Sequence, residues 1–144
     1  MIGILAGVLS LKLVPVEDSV VFVSAVIIGS VLPDIDHHRS LLNRLVPVTR
    51  LVPRFFKHRG FFHSVFPAVI LFAVFSSFGL LKYGIPIVIG YASHLLSDSF
   101  TRLGVNFLYP LTQFRIQGPI TTGGLVESVV FVVVIIGIVL VVVW

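Results

Sequence analysis

The chain has 144 residues, a length that fits one domain, and 57% of them are hydrophobic against 11% charged. With a mean hydropathy of +1.12, that balance excludes an ordinary soluble domain and indicates an integral membrane protein. The absence of Cys excludes disulfides and thiolate metal centres, and the net charge of +4 points to anionic lipid headgroups rather than nucleic acid.

Residues 1 to 14 (Met1 to Val14) are apolar apart from Ser10 and Lys12, short for a span that normally takes about 20 residues. They fit a tilted or partly re-entrant helix, or one arm of a hairpin. No basic n-region or small-residue cleavage site opens the chain, so the segment reads as mature membrane protein rather than signal peptide. Pro15-Val16-Glu17-Asp18 breaks it, and Asp18 or Ser19 can cap a second helix, Ser19 to Leu32. Gly29 and Ser30 offer that helix a close contact with a neighbour. Pro33 ends it.

Residues 34 to 64 hold most of the positive charge: Arg39, Arg44, Arg50, Arg54, Lys57 and Arg59. Leu41, Leu45, Val48, Val52 and Phe55 are interleaved near a helical period, interrupted by Pro47 and Pro53. Such a basic amphipathic segment lies in the interface plane. It serves either as a floor for phosphate-bearing headgroups or as a positive-inside topology anchor.

Val65 to Leu81 reads as a third helix, with Pro67 harmless in its first turn. Lys82-Tyr83-Gly84 reads as a turn, and Ile85 to Phe100 as a fourth helix. Residues 101 to 124 form a polar, Gly-containing loop with Arg102 and Arg115. Leu125 to Trp144 is a last, Val-rich helix with Glu127 near its start and Trp144 as an interfacial anchor. The fold class is thus all-α: a polytopic bundle of about five short transmembrane helices in a single domain, 1–144, with the basic segment between helices two and three.

Three polar clusters carry the chemistry. Pro33-Asp34-Ile35-Asp36-His37-His38 combines two carboxylates and two imidazoles at a helix end. It is either a helix stop with an Asx-type turn, or a place where Asp34 and Asp36 bracket one metal or bridge two. In His58-Arg59-Gly60-Phe61-Phe62-His63-Ser64, Gly60 permits a turn that converges the two histidines, and Arg59 can clamp an oxyanion or phosphate. His94 and Asp98 lie four residues apart on one helical face, as a metal-ligand pair or a buried hydrogen bond. Glu127 is a first-turn acid, a partner of a histidine, or a ligand.

Placing the basic segment inside by the positive-inside bias sends the second and fourth helices inward and the third outward. Asp34, Asp36, His37, His58, His63, His94, Asp98 and Glu127 then fall at one membrane face, while Lys12, Glu17, Asp18 and Lys82 fall at the other. Ionisable residues inside a membrane are costly unless something binds them.

The motifs in this order, L-P-D-I-D-H at 32 to 37, H-R-G-x-x-H-S at 58 to 64 and G-Y-x-S-H-L-L-x-D at 90 to 98, are followed by Thr101, Gly104, Pro110, Phe114-Arg115 and Glu127. Together they resemble the YdjM-like family of inner-membrane proteins, from about Gly29 to Glu127. The resemblance implies a multi-pass helical protein with metal-dependent hydrolase activity. Family members commonly carry Thr before the second His of the middle motif, where this chain has Phe62. Many also have a His near the amino terminus, whereas the first His here is His37.

The expected function is therefore hydrolysis of a phosphoester of a lipid or lipid-linked molecule, by metal-activated water at the cytoplasmic face of the inner membrane. Asp34, Asp36, His63, His94 and Asp98 are the expected ligands of one or two divalent ions, zinc first and manganese or iron next. His37 and His58 are expected either as further ligands or as groups that move protons, Arg59 or a second metal to stabilise the oxyanion, and Arg102, Arg115 and Glu127 to hold substrate or support the ligands. Membrane lipids, and a second copy of the chain through Gly and Ser faces, are the expected partners. The alternative is a metal-binding or ion-handling membrane protein without enzymatic activity.

Overall fold

The computed structural model describes residues 7, 9–10, 18–37, 40–46, 49, 51, 59–121 and 124–143. Every regular element among them is helical. The order is α1 (Ser19–Val31), a 3₁₀ turn (Leu32–Asp36), α2 (Leu41–Leu45), a second 3₁₀ turn (Phe61–His63), α3 (Val65–Ser77), α4 (Leu81–Ser99) and α5 (Leu125–Val143).

α1 begins where Asp18 Oδ1 accepts from the amides of Val20 at 2.9 Å and Val21 at 3.2 Å, satisfying two otherwise orphaned donors. It buries Phe22, Ala25, Val26 and Gly29, a stripe at helical spacing. Its other faces carry Val20, Val21, Ile27 and Ile28, apolar yet exposed. The stretch Ser19–Asp36, 18 residues with a mean hydropathy of 1.8, is long and apolar enough to cross a membrane. Val65–Ser77 and Ser128–Gly137 are shorter apolar helices. The first segment reaches α1 at Gly7, which packs against Val26.

The connection between α3 and α4 differs from the sequence reading. The turn is at Phe78 to Leu80, and Lys82-Tyr83-Gly84 lies inside α4. Gly79 takes a φ of 68°, its amide bonds to Ser76 O at 3.0 Å, and the Leu80 amide bonds to Phe75 O at 2.8 Å. That is a Schellman stop, which needs a left-handed residue. Gly84 instead lets α4 lie against Phe75 of α3, where a Cβ would come within 2.5 Å of the Phe75 Cβ.

α1 and α4 run side by side in the same direction. A Cβ on Gly29 would meet Ile87 O at 2.1 Å, and one on Gly90 would meet Val26 O at 2.0 Å. Backbone approach at small residues is what holds helix pairs where there is no water to expel between them, as in lipid. The parallel crossing carries the ends of both helices to one side, next to the start of α3. Asp18 and Lys82 are left at the opposite ends.

Residues 101–121, within the stretch 101–124 expected as a polar, Gly-containing loop, fold back as a cap on the end of α4. Val105 and Ile116 exchange backbone hydrogen bonds at 2.9 Å each, and the Arg102 amide bonds to Ile120 O at 2.8 Å. Val105 is fully buried against Tyr91 and Leu95, and the Val65 amide donates to Phe107 O at 2.9 Å. The cap therefore ties the start of α3 to the end of α4. Of the basic segment, the short α2 is described, with Arg44 and Leu45 exposed; residues 52–58 lie outside the described set.

Candidate metal centre

Four segments meet at this end of the bundle, each positioned by the backbone features above. His94 comes from the last turns of α4, where the Gly29–Gly90 crossing sets its Nδ1 2.8 Å from Ser30 O. A carbonyl only accepts, so Nδ1 carries the proton and Nε2 presents its lone pair. Nε2 is buried and has no hydrogen-bond partner among the described residues.

His63, fully buried at the end of the second 3₁₀ turn, has Nδ1 3.3 Å from Asp36 Oδ2. The same carboxylate oxygen accepts the Arg59 amide at 3.1 Å. A carboxylate behind a histidine fixes the ring and its tautomer, the usual support for a metal-binding imidazole. Arg59 reaches that amide geometry at a φ of 57°, a left-handed conformation that costs a non-glycine residue about 1–2 kcal/mol.

Asp34 completes the group. Its Oδ1 is 3.8 Å from Nε2 of both His63 and His94, and the donor atoms of Asp34, His63 and His94 all lie within 4.8 Å of one another. Asp98 Oδ2 is 3.6 Å from His63 Nε2 and 3.8 Å from His94 Nε2. Donors about 2.0–2.2 Å from a tetrahedral ion would stand about 3.3–3.6 Å apart; the two Asp34 distances are close to that, while a span of up to 4.8 Å would have to close by about 1 Å around an ion. The Asp34 side chain is 41% exposed while that of His63 is 0%, so the group opens on the Asp34 side.

The sequence candidates divide accordingly. Asp34, His63, His94 and Asp98 share one focus. Asp36, expected as a ligand beside Asp34, faces the far nitrogen of His63, because alternate residues of the 3₁₀ turn project differently. Arg59, expected as a phosphate clamp, bonds Asp98 Oδ2 at 3.0 Å, Thr101 Oγ1 at 3.2 Å and Gly104 O at 3.0 Å. Its Nε is buried without a hydrogen-bond partner among the described residues. His37, Arg102 and Arg115 are exposed. His58 lies outside the described residues, as does the side chain of Glu127 in α5.

Three residues support the site in ways that the sequence reading does not assign, although Tyr91 and Thr101 stand in or beside the quoted motifs. Asn43 is buried and donates through Nδ2 to Ile35 O at 3.1 Å and His37 O at 2.8 Å, clamping the turn that carries both aspartates. It is the one Asn in the basic segment, a signal that was legible. Tyr91 donates its hydroxyl to Phe62 O beside His63. Thr101 positions Arg59 while donating to Asp98 O at 2.7 Å.

The family described as YdjM inner membrane protein matches residues 1–144, the whole chain. The chain belongs to the YdjM family. Among YdjM-family relatives, the inner membrane proteins YdjM of Escherichia coli K12 and of Shigella flexneri are each 38% identical over 105 residues. That is 68% of this chain and 53% of each relative, so the chain spans about half their length. The uncharacterized protein YvsG of Bacillus subtilis is 33% identical over 117 residues, 78% of this chain and 72% of that protein. No solved structure matches the chain. Membership places it in the membrane, in accord with its composition and with the apolar exposed faces of α1.

Proposed function

We propose that the chain is a multi-pass, metal-dependent hydrolase of the inner membrane, acting on the phosphoester of a lipid or lipid-linked molecule at the cytoplasmic face. The observation that carries this reading is the pairing of His63 and His94 around Asp34 Oδ1 at 3.8 Å each, with both rings held from behind at Nδ1. Two imidazoles and one carboxylate are the protein donors of many catalytic zinc sites, which keep a fourth position for water or substrate. Charge supports it as well. Three carboxylates, Asp34, Asp36 and Asp98, face one guanidinium, Arg59, among the described residues. That makes an oxygen-rich, acidic surrounding of the kind a divalent ion takes.

An ion there would supply Lewis acidity to water and to a phosphoryl oxygen. The protein supplies the rest. His63 and His94 present lone pairs from fixed tautomers. Asp36 orients His63 without itself binding. Asp34 lies on the open side, where a substrate would arrive. Arg59 balances Asp98 and keeps its Nε donor free for a developing oxyanion. His37, exposed and three residues beyond Asp34, is the group assigned to protonate the leaving oxygen. The basic residues from Arg39 to Arg59 support the cytoplasmic placement and the choice of an anionic headgroup.

Elemental analysis of the purified full chain, beside His94→Ala and Asp34→Asn, tests this. Wild type is expected to hold one equivalent of divalent metal and to turn over a member of a phospholipid panel, and both variants to lose both. Metal without turnover favours the non-enzymatic metal-binding protein. Equal metal content in all three sinks the site.

A further inference from the structure

A cavity of about 240 Å³ lies behind the polar cluster, lined among others by Leu32, Ile35, Phe62, Ile70, Leu71 and Tyr91. Every lining side chain is apolar or aromatic, and the one hydroxyl, that of Tyr91, is turned onto Phe62 O. An apolar cavity of roughly 150 Å³ stays dry and takes benzene, so this one has room for a longer piece of hydrocarbon.

Its walls come from the same segments as the metal-capable group. Ile35 separates Asp34 from Asp36, Phe62 precedes His63, and Tyr91 is one helical turn before His94. The polar and the apolar surfaces are two faces of one construction. The outer wall is α3, where Ile70 is 52% exposed among exposed Val69, Phe72 and Val74. In a membrane protein that apolar face meets lipid, so the cavity borders the hydrocarbon region.

We infer that this cavity is the seat of one acyl chain of the lipid whose phosphoester headgroup faces Asp34, His63 and His94. The inference rests on the hydrolase reading for the polar end of the ligand and on the cavity itself for the tail. Only an amphiphile with its polar and hydrocarbon parts adjacent can fill both faces at once. Filling the slot with hydrocarbon replaces lipid contact by contact with Phe62, Leu71 and Tyr91, and fixes where the headgroup sits.

The test is photolabelling of the full chain in phosphatidylcholine vesicles. These contain phosphatidylglycerol that carries a diazirine midway along one acyl chain, and labelled peptides are mapped by mass spectrometry. Label on Phe62 and Tyr91 in wild type, lost in Leu71→Trp while label on exposed Phe72 persists, is the expected result. Label confined to Val69 and Phe72 in wild type overturns the inference, whether or not the Trp variant folds. So does Tyr91 label undiminished in both Leu71→Trp and Ile70→Trp. Metal content of the same samples keeps the two proposals apart. Cavity labelling without bound metal retires the hydrolase and leaves the slot, and bound metal without cavity labelling retires the slot alone.

Discussion

The two sides of the metal-capable group are built by different means. On the α4 side, His94 and Asp98 are set by helix geometry, and the ring of His94 is held by a main-chain carbonyl of α1. On the turn side, Asp34, Asp36, Arg59 and His63 sit on 3₁₀ turns and a strained residue, held by the side chains of Asp36 and Asn43. The first half depends on how closely two backbones approach, the second on individual hydrogen bonds. Damage to the first should therefore abolish the site together with the helix pair, whereas damage to the second should be graded.

The harshest way to break that contrast is Gly90→Leu, because even a Cβ there would stand 2.0 Å from Val26 O. Overpacking in a well-packed interior typically costs about 1–3 kcal/mol, and more where backbone blocks relaxation. The expected outcome is loss of bound metal together with a lowered thermal midpoint in detergent. Retained metal at an unchanged midpoint would show that the crossing does not set His94.

Asp36→Asn comes next. The amide keeps the shape but not the charge behind His63, and the expected loss is about 10–100-fold in metal affinity, with little change in stability. Competition against a chelator measures it. Asn43→Ala takes the donor from two part-buried carbonyls, those of Ile35 and His37, and should cost about 0.5–1.5 kcal/mol of stability per bond, with a smaller loss of affinity. Thr101→Val removes one hydrogen bond to Arg59 and should cost about 0.5–1.5 kcal/mol, read as a small shift in thermal midpoint with metal content intact. If Asn43→Ala and Thr101→Val match Gly90→Leu in severity, the two halves are not distinct.

Much of this arrangement is readable from residue spacing. His94 and Asp98 share a face because the helix period puts them there, and the ends of α1 and α4 meet because the chain alternates direction. What spacing does not give is side-chain direction within a short turn. Asp34 and Asp36 look equivalent on paper, and only the fold sends one to the focus and the other behind His63. Arg59 looks like a free clamp until the distant Asp98 is seen to hold it. Lys82-Tyr83-Gly84 has the composition of a turn yet lies inside α4, while the left-handed backbone of Gly79, one glycine in an apolar run, stops α3. The cap was hidden because its pairing, Val105 with Ile116, shows no strand-like run.

The shared direction of α1 and α4 has an electrical consequence. Each directs its carboxyl-terminal end at the site, and each such end carries about half a unit of negative charge, while the start of α3 returns about half a unit of the opposite sign. The peptide groups alone thus make the spot attractive to a cation before any carboxylate is counted. For a phosphate the same field is repulsive. On the proposed reading, a cation would therefore have to enter first and an anionic headgroup after it.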